Sequence, residues 1–149
     1  MIKLSFPDYS FRFKNKENKT TIFDPIRKKF VILTPEEWVR QHTIQYLQKA
    51  LYYPVSHINV EKELLVNNIK KRYDIVVHNL NGGIEILVEC KAPNVSITQK
   101  TFDQIAQYNM ALEAKMLMVT NGLNHYYCTI DYGTQNYTYL EKLPAYQSL

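Results

Sequence analysis

The sequence predicts a mixed α/β (α+β) fold, in which a mixed β-sheet is flanked by helices and preceded by an N-terminal β-hairpin arm. Three observations lead there. A helix start stands at Thr34-Pro35-Glu36-Glu37. A second helical stripe lies between Ile97 and about Ala114. The remaining segments are short β-branched and aromatic runs bounded by turns. The order helix, three strands, helix, strand belongs to a sheet with helices packed on it.

Each element has a local cause. Tyr9 to Lys14 alternates aromatic and polar residues, and Lys28 to Leu33 is β-branched and apolar. The polar stretch Lys16 to Thr20 lies between them, so an antiparallel hairpin or small meander fits. Thr34 can cap the first helix, Pro35 suits its first position, and Glu37 completes a capping box. That helix is expected to run to about Leu51 and to stop before Pro54. Strands follow around Ile58 to Val66 and Tyr73 to His78. After the Asn81-Gly82-Gly83 turn, Ile84 to Lys91 forms a third strand that Pro93 ends. In the second helix Phe102, Ile105, Ala106 and Asn109 share one stripe. Met116 to Thr120 reads as a buried strand closed by Asn121-Gly122, and strands near Tyr126 to Ile130 and Tyr137 to Leu140 follow. The chain thus divides into an arm, residues 1–33, and a core, residues 34–149.

At 46% hydrophobic and 21% charged residues the composition is that of a globular domain rather than a disordered chain. No apolar run is long enough for a membrane span, and the amino terminus lacks a secretory apolar core, so a cytoplasmic protein without a membrane partner is expected. Cys90 and Cys128 make neither a disulfide framework nor a zinc spacing. Residues 1–33 hold eight Lys/Arg against three Asp/Glu, and the remainder holds ten against eleven, so the positive excess lies in the arm. A basic arm supplies sequence-independent affinity for phosphates, and a solvated hairpin accounts for the same pattern.

The chemistry concentrates in Ile84-Glu85-Ile86-Leu87-Val88-Glu89-Cys90-Lys91-Ala92-Pro93. Residues two apart in a strand share a face, so Glu89 and Lys91 point one way and Cys90 into the opposite layer. Charges inside a central strand are costly unless they pair or meet a metal. Asp74 lies fifteen residues before Glu89 on the preceding strand, and the Gly82-Gly83 turn folds the two strands side by side. Asp74, Glu89 and the Cys90 backbone carbonyl suit Mg²⁺, which takes oxygen ligands and keeps several waters. Lys91 then orients a water or stabilises developing charge. A simple Glu89–Lys91 ion pair is the plainer reading. On the second helix Gln104 and Tyr108 lie one turn apart, where they either hydrogen-bond to the DNA backbone, brace the metal site, or form an ordinary polar face.

Together, Arg72-x-Asp74, Val88-Glu89-Cys90-Lys91-Ala92-Pro93, Gln104-x-x-x-Tyr108-Asn109 and Thr120-Asn121-Gly122 resemble the amino-terminal nuclease domain of type I restriction enzyme R subunits, within the PD-(D/E)xK nuclease superfamily. Thr34 to Gln41 looks like that family's first helix, and the resemblance covers residues 34 to about 130. It implies a restriction-endonuclease-like core and Mg²⁺-dependent DNA cleavage, with Mn²⁺ as a substitute. Asp74 and Glu89 are then metal ligands, Lys91 the catalytic lysine, and Arg72, Gln104 and Tyr108 substrate contacts. An additional acid from the first helix is implied as well, either Glu36 or Glu37. The sequence has no G-x-x-x-x-G-K-[ST] motif, so no ATP site and no motor are expected in it. A separate restriction-system subunit is the implied partner. The alternative is a non-catalytic DNA-binding or accessory subunit on the same fold.

The four histidines are scattered without ligand spacing and read as ordinary side chains. Cys90, facing the core, reads as structural.

Overall fold

The computed structural model describes residues 1–147. The arm is a three-stranded antiparallel meander of β1 (Phe13–Lys16), β2 (Lys19–Asp24) and β3 (Lys29–Ile32). Glu17 and Asn18 both take positive φ, 53° and 65°, which makes the two-residue turn whose twist matches the flanking strands. Of the two expected forms, hairpin and meander, the chain adopts the meander.

Helix α1 (Pro35–Gln45) starts where its cap predicts, with the Glu37 N–H donating to Thr34 Oγ1 at 3.0 Å. The capping box is not completed. The Glu37 carboxylate turns instead to Arg27, Arg40 and Gln41, because buried cations outbid a backbone N–H for it. The helical path continues towards Leu51 as expected, but its last turn, Tyr46–Ala50, widens to π-helical geometry.

The main sheet is built from β4 (Ile58–Val66), β5 (Ile69–His78), β6 (Ile84–Cys90), β7 (Met116–Thr120), β8 (His125–Asp131) and β9 (Asn136–Leu140), in that spatial order. Every neighbouring pair is antiparallel except β6–β7. That parallel step needs a crossover, supplied by α2 (Gln99–Tyr108) and the 3₁₀ turn Asn109–Leu112. The fold is therefore the mixed sheet with helices that the sequence predicts.

Both faces of the sheet are covered, so its centre reads as continuous apolar sequence. Ile75, Val77, Ile86, Val88 and Cys90 pack with Val39, Ile44 and Leu47 of the α1 layer. Val76, Leu87, Leu117 and Val119 pack with Phe102 and Ala106 of the α2 layer. The amino-terminal Leu4 and Phe6 join the α1 layer. Ser5 N–H donates to Gly122 O at 2.7 Å, and Gly122 has φ +86° with a would-be Cβ only 2.8 Å from Leu4 Cδ2. Only glycine suits that contact. Among the described residues no helix is long and apolar enough to cross a membrane.

Candidate active site

The site begins where the β5–β6 ladder ends. The last regular couple towards this end is Ile75 with Val88, and the next residues on the two strands are Asp74 and Glu89. Beyond it, Cys90 N–H donates to Asp74 Oδ2 at 2.8 Å, so a side chain takes the place of a backbone acceptor and the strands part. Lys91 N–H points the other way, to Thr120 O on β7 at 2.8 Å. Across a planar trans peptide C=O and N–H are opposed, so the Cys90 carbonyl faces the same gap as Asp74.

The strand on the other side of Asp74 is also irregular. The β4–β5 register runs from Val60–Ile75 to Lys62–Tyr73 and skips Glu61 and Asp74. Glu61 has φ +56°, rare for a non-glycine residue, and such local irregularities re-aim side chains. Glu61 Oε1 and Asp74 Oδ1 each lie 2.8 Å from one atom, Arg40 Nη2.

Arg40 joins these strands to α1. Its side chain is 7% exposed and pairs with Glu37 at 2.6 Å and Glu36 at 3.3 Å besides the two strand carboxylates. Burial works against its charge, but Asp74 and Glu37 outweigh this, and the guanidinium holds its proton more tightly than usual. Glu37 is held on its other side by Arg27 at 2.9 Å, and Arg27 by Asp24 at 2.6 Å. Glu36 differs: its side chain is 47% exposed, and burial and the neighbouring Asp74 push its carboxyl above the usual range. Of the two candidate acids, Glu36 therefore sits beside Asp74 and Glu37 belongs to the ion pairs with Arg27 and Arg40.

Glu89 is approached from the opposite layer. It pairs across β7 with Val119, an α2-layer residue, and its carboxylate meets Lys71 at 3.2 Å and Lys91 at 4.0 Å. Lys71 Nζ lies 4.2 Å from the Tyr108 ring and 5.0 Å from that of Tyr73, so α2 reaches the site through this cation. Gln104, one turn earlier, is solvent-exposed, and its side chain makes no hydrogen bond among the described residues. Arg72 is exposed and paired with Glu63 at 3.3 Å and Glu61 at 3.8 Å.

The family whose description is Type I restriction enzyme R protein N terminus (HSDR_N) matches residues 35–144. The chain belongs to this family. No curated protein matched the chain. Membership places it in a restriction-modification context. The match begins at the first residue of α1 and takes in the sheet, both helices and every residue of the site, leaving the meander outside.

Within this R-protein domain, Asp74 and Glu89 adjoin across the parted strands, but each is neutralised from its own side, by Arg40 and by Lys71 with Lys91. Among the described residues no three His, Cys, Asp or Glu side chains gather tightly enough to cage a metal ion. The donor set nevertheless fits a hard cation: carboxylates with an outward-facing peptide carbonyl. Around Arg40 four carboxylates, Glu36, Glu37, Glu61 and Asp74, share one buried guanidinium. The Cys90 thiol is raised well above its ordinary value by burial and by Asp74, which keeps it protonated and structural. The sequence reading missed Arg40, Glu61 and Lys71. Arg40 had a signal, lying three and four residues after Glu37 and Glu36. Lys71 shares a strand with Tyr73 two residues on, a weak one. Glu61 had none, since nothing in the sequence announces its positive φ.

Proposed function

We propose that this domain hydrolyses DNA phosphodiester bonds with Mg²⁺, or Mn²⁺ in its place, using Asp74, Glu89 and the Cys90 carbonyl as ligands and Lys91 as the catalytic lysine. One observation carries the reading: Asp74 and the Cys90 carbonyl face one gap between parted strands, and Glu89, with Lys91 4.0 Å from it, is the next residue opposite Asp74 beyond the last regular couple. When bound there, a divalent ion supplies a Lewis acid for the phosphoryl oxygen and lowers the pKa of a coordinated water. The protein's own groups do the rest. Lys91, 36% exposed beside Glu89, meets an incoming phosphate and offsets charge developing on it. Arg40 holds Asp74 from the α1 side, so that carboxylate is oriented before substrate arrives. Lys71 and Tyr108 form the opposite wall, where Gln104 adds a donor for the nucleic-acid backbone, and Arg72 adds another beside Glu61. Glu36 is the additional acid, and a separate restriction-system subunit is the partner for full function.

A second reading, a DNA-binding subunit without catalysis, draws on the ion pairs that neutralise both carboxylates without a metal. The two readings part in a cleavage assay on plasmid and oligonucleotide DNA with EDTA, Mg²⁺ or Mn²⁺. Metal-dependent cutting that Lys91→Ala abolishes, with fold and DNA affinity retained, is the expected result. DNA binding without cutting under any metal, alone or with the partner subunit, would leave the binding reading.

A further inference from the structure

The meander lies outside the family match and takes no part in the proposed centre, yet it carries the chain's excess charge. Its register sorts that charge by face. Phe13, Ile22 and Val31 lie in one row and point towards the body, where Ile22 is fully buried and Phe13 meets Trp38. Neighbouring rows point the opposite way and bring Lys14, Lys16 and Lys19 to one outward face with Phe30 and Phe23. Arg12 belongs there too, its guanidinium 4.7 Å from the Phe23 ring and 5.5 Å from that of Phe30. Lys14 Nζ lies 5.8 Å from the Phe30 ring.

None of these four cations makes an ion pair among the described residues. Arg27 does not join them: Asp24 and Glu37 occupy it. Lys29 falls on the other face, opposite Asp24. Arg27 also fixes where the outward face sits, since it ties the β2–β3 connection to Glu37 at the start of α1, beside Glu36 and Arg40.

We propose that the outward face of the meander, Arg12, Lys14, Lys16 and Lys19 over Phe23 and Phe30, is a clamp for the phosphate backbone of DNA passing into the gap at Asp74 and Glu89. The inference rests on the reading of the domain as one that acts on DNA. Cations at every second strand position recur at about 7 Å, a spacing that follows the phosphates of one strand. Contact with the Phe23 and Phe30 rings holds Arg12 in place and lowers the entropy lost on binding. The four cations serve phosphates, and phosphate contacts carry no sequence information, so the contact is indifferent to sequence.

The test is fluorescence anisotropy on labelled duplexes of unrelated sequence, in EDTA, across a salt series. The protein is the full chain, its Lys14→Glu/Lys16→Glu/Lys19→Glu variant, or Lys29→Glu as the opposite-face control. All four positions are solvent-exposed, so melting temperatures should match wild type. The triple variant should bind every duplex roughly tenfold or more weakly, with a salt slope shallower by about 0.9 per lost phosphate contact. Lys29→Glu should have a much smaller effect. Unchanged affinity in the triple variant, or an equal loss in Lys29→Glu, overturns the clamp, and so does wild-type binding to anionic vesicles but not to duplex. Because no metal is present, the measurement stands apart from cleavage: a wild type that binds through this face but never cuts refutes the nuclease reading and supports the clamp.

Discussion

Glu36 and Glu37 are adjacent in sequence and differ in what their charges do. Glu37 is buried and accepts hydrogen bonds from Arg27, Arg40 and Gln41. Glu37→Gln leaves two guanidinium groups short of their counter-charge, and breaking a buried pair from one side costs about 3–5 kcal/mol. Glu36 is half exposed, and burial and Asp74 both oppose its ionised form. Glu36→Gln should therefore leave stability within about 0.5 kcal/mol of wild type, while cleavage falls. Urea denaturation of the two variants checks the contrast. Equal losses would mean that Arg40 and Arg27 do not depend on Glu37 as the geometry states.

At the scale of elements, the amino-terminal strap is held to the β7–β8 turn by a histidine. His125 Nε2 donates to Ser5 O at 2.7 Å, since a carbonyl can only accept. Nδ1 is then free to accept from Thr120 Oγ1 at 2.7 Å, and that hydroxyl in turn accepts from Gly122 N–H. The arrangement needs a neutral ring. Burial pushes the pKa below the ordinary 6.5, against a smaller opposing effect of the Ser5 bond. His42 and His78 are lowered too, burial again being the main cause. A depressed folded-state pKa means that the unfolded chain takes up the proton first as pH falls through about 6.5. This part of the stability is present above that pH and is lost below it, down to the folded-state pKa. The urea midpoint should therefore fall between about pH 7.5 and pH 5.5, and His125→Gln should show a shallower fall. An unchanged slope in that variant would remove His125 from the account.

For the whole molecule, the family match and the folding unit differ in extent. Residues 35–144 contain the helices, the sheet and the site, but not Leu4 or Phe6, which are buried in the α1 layer, nor Tyr146, which packs on Tyr53. Tyr146 N–H also donates to Leu51 O at 2.7 Å. Burying a side chain such as Leu or Phe contributes about 1.5–3 kcal/mol each, against a total of about 5–15 kcal/mol for a domain. Removing Arg27 leaves Glu37 without its second cation as well. A fragment of residues 35–144 should melt well below the full chain or fail to show a cooperative transition. Circular dichroism melts of the two proteins would decide it, and equal melting temperatures would show that the flanks do not stabilise the core.

What the sequence determined by itself was whatever depends on neighbours along the chain. The Thr34 cap, the Pro35 start, the strands Ile58–Val66 and Met116–Thr120 and the Asn81-Gly82-Gly83 turn all follow from local hydrogen bonding, restricted φ and periodicity. The motif residues Asp74, Glu89, Cys90 and Lys91 were legible too, because strand alternation and one hairpin suffice to bring them to the same end of two strands. The tertiary structure alone decided how their charges are shared. Arg40 comes from a helix more than thirty residues before Asp74, and Glu61 reaches it from a break in a third strand. Lys71 reaches Glu89 while lying against Tyr108 of the second helix. Capping chemistry assigned Glu37 to its own helix, but Arg27 from the meander claimed its carboxylate. Electrostatic energy depends on distance through space and on burial, and neither is fixed by spacing along the chain.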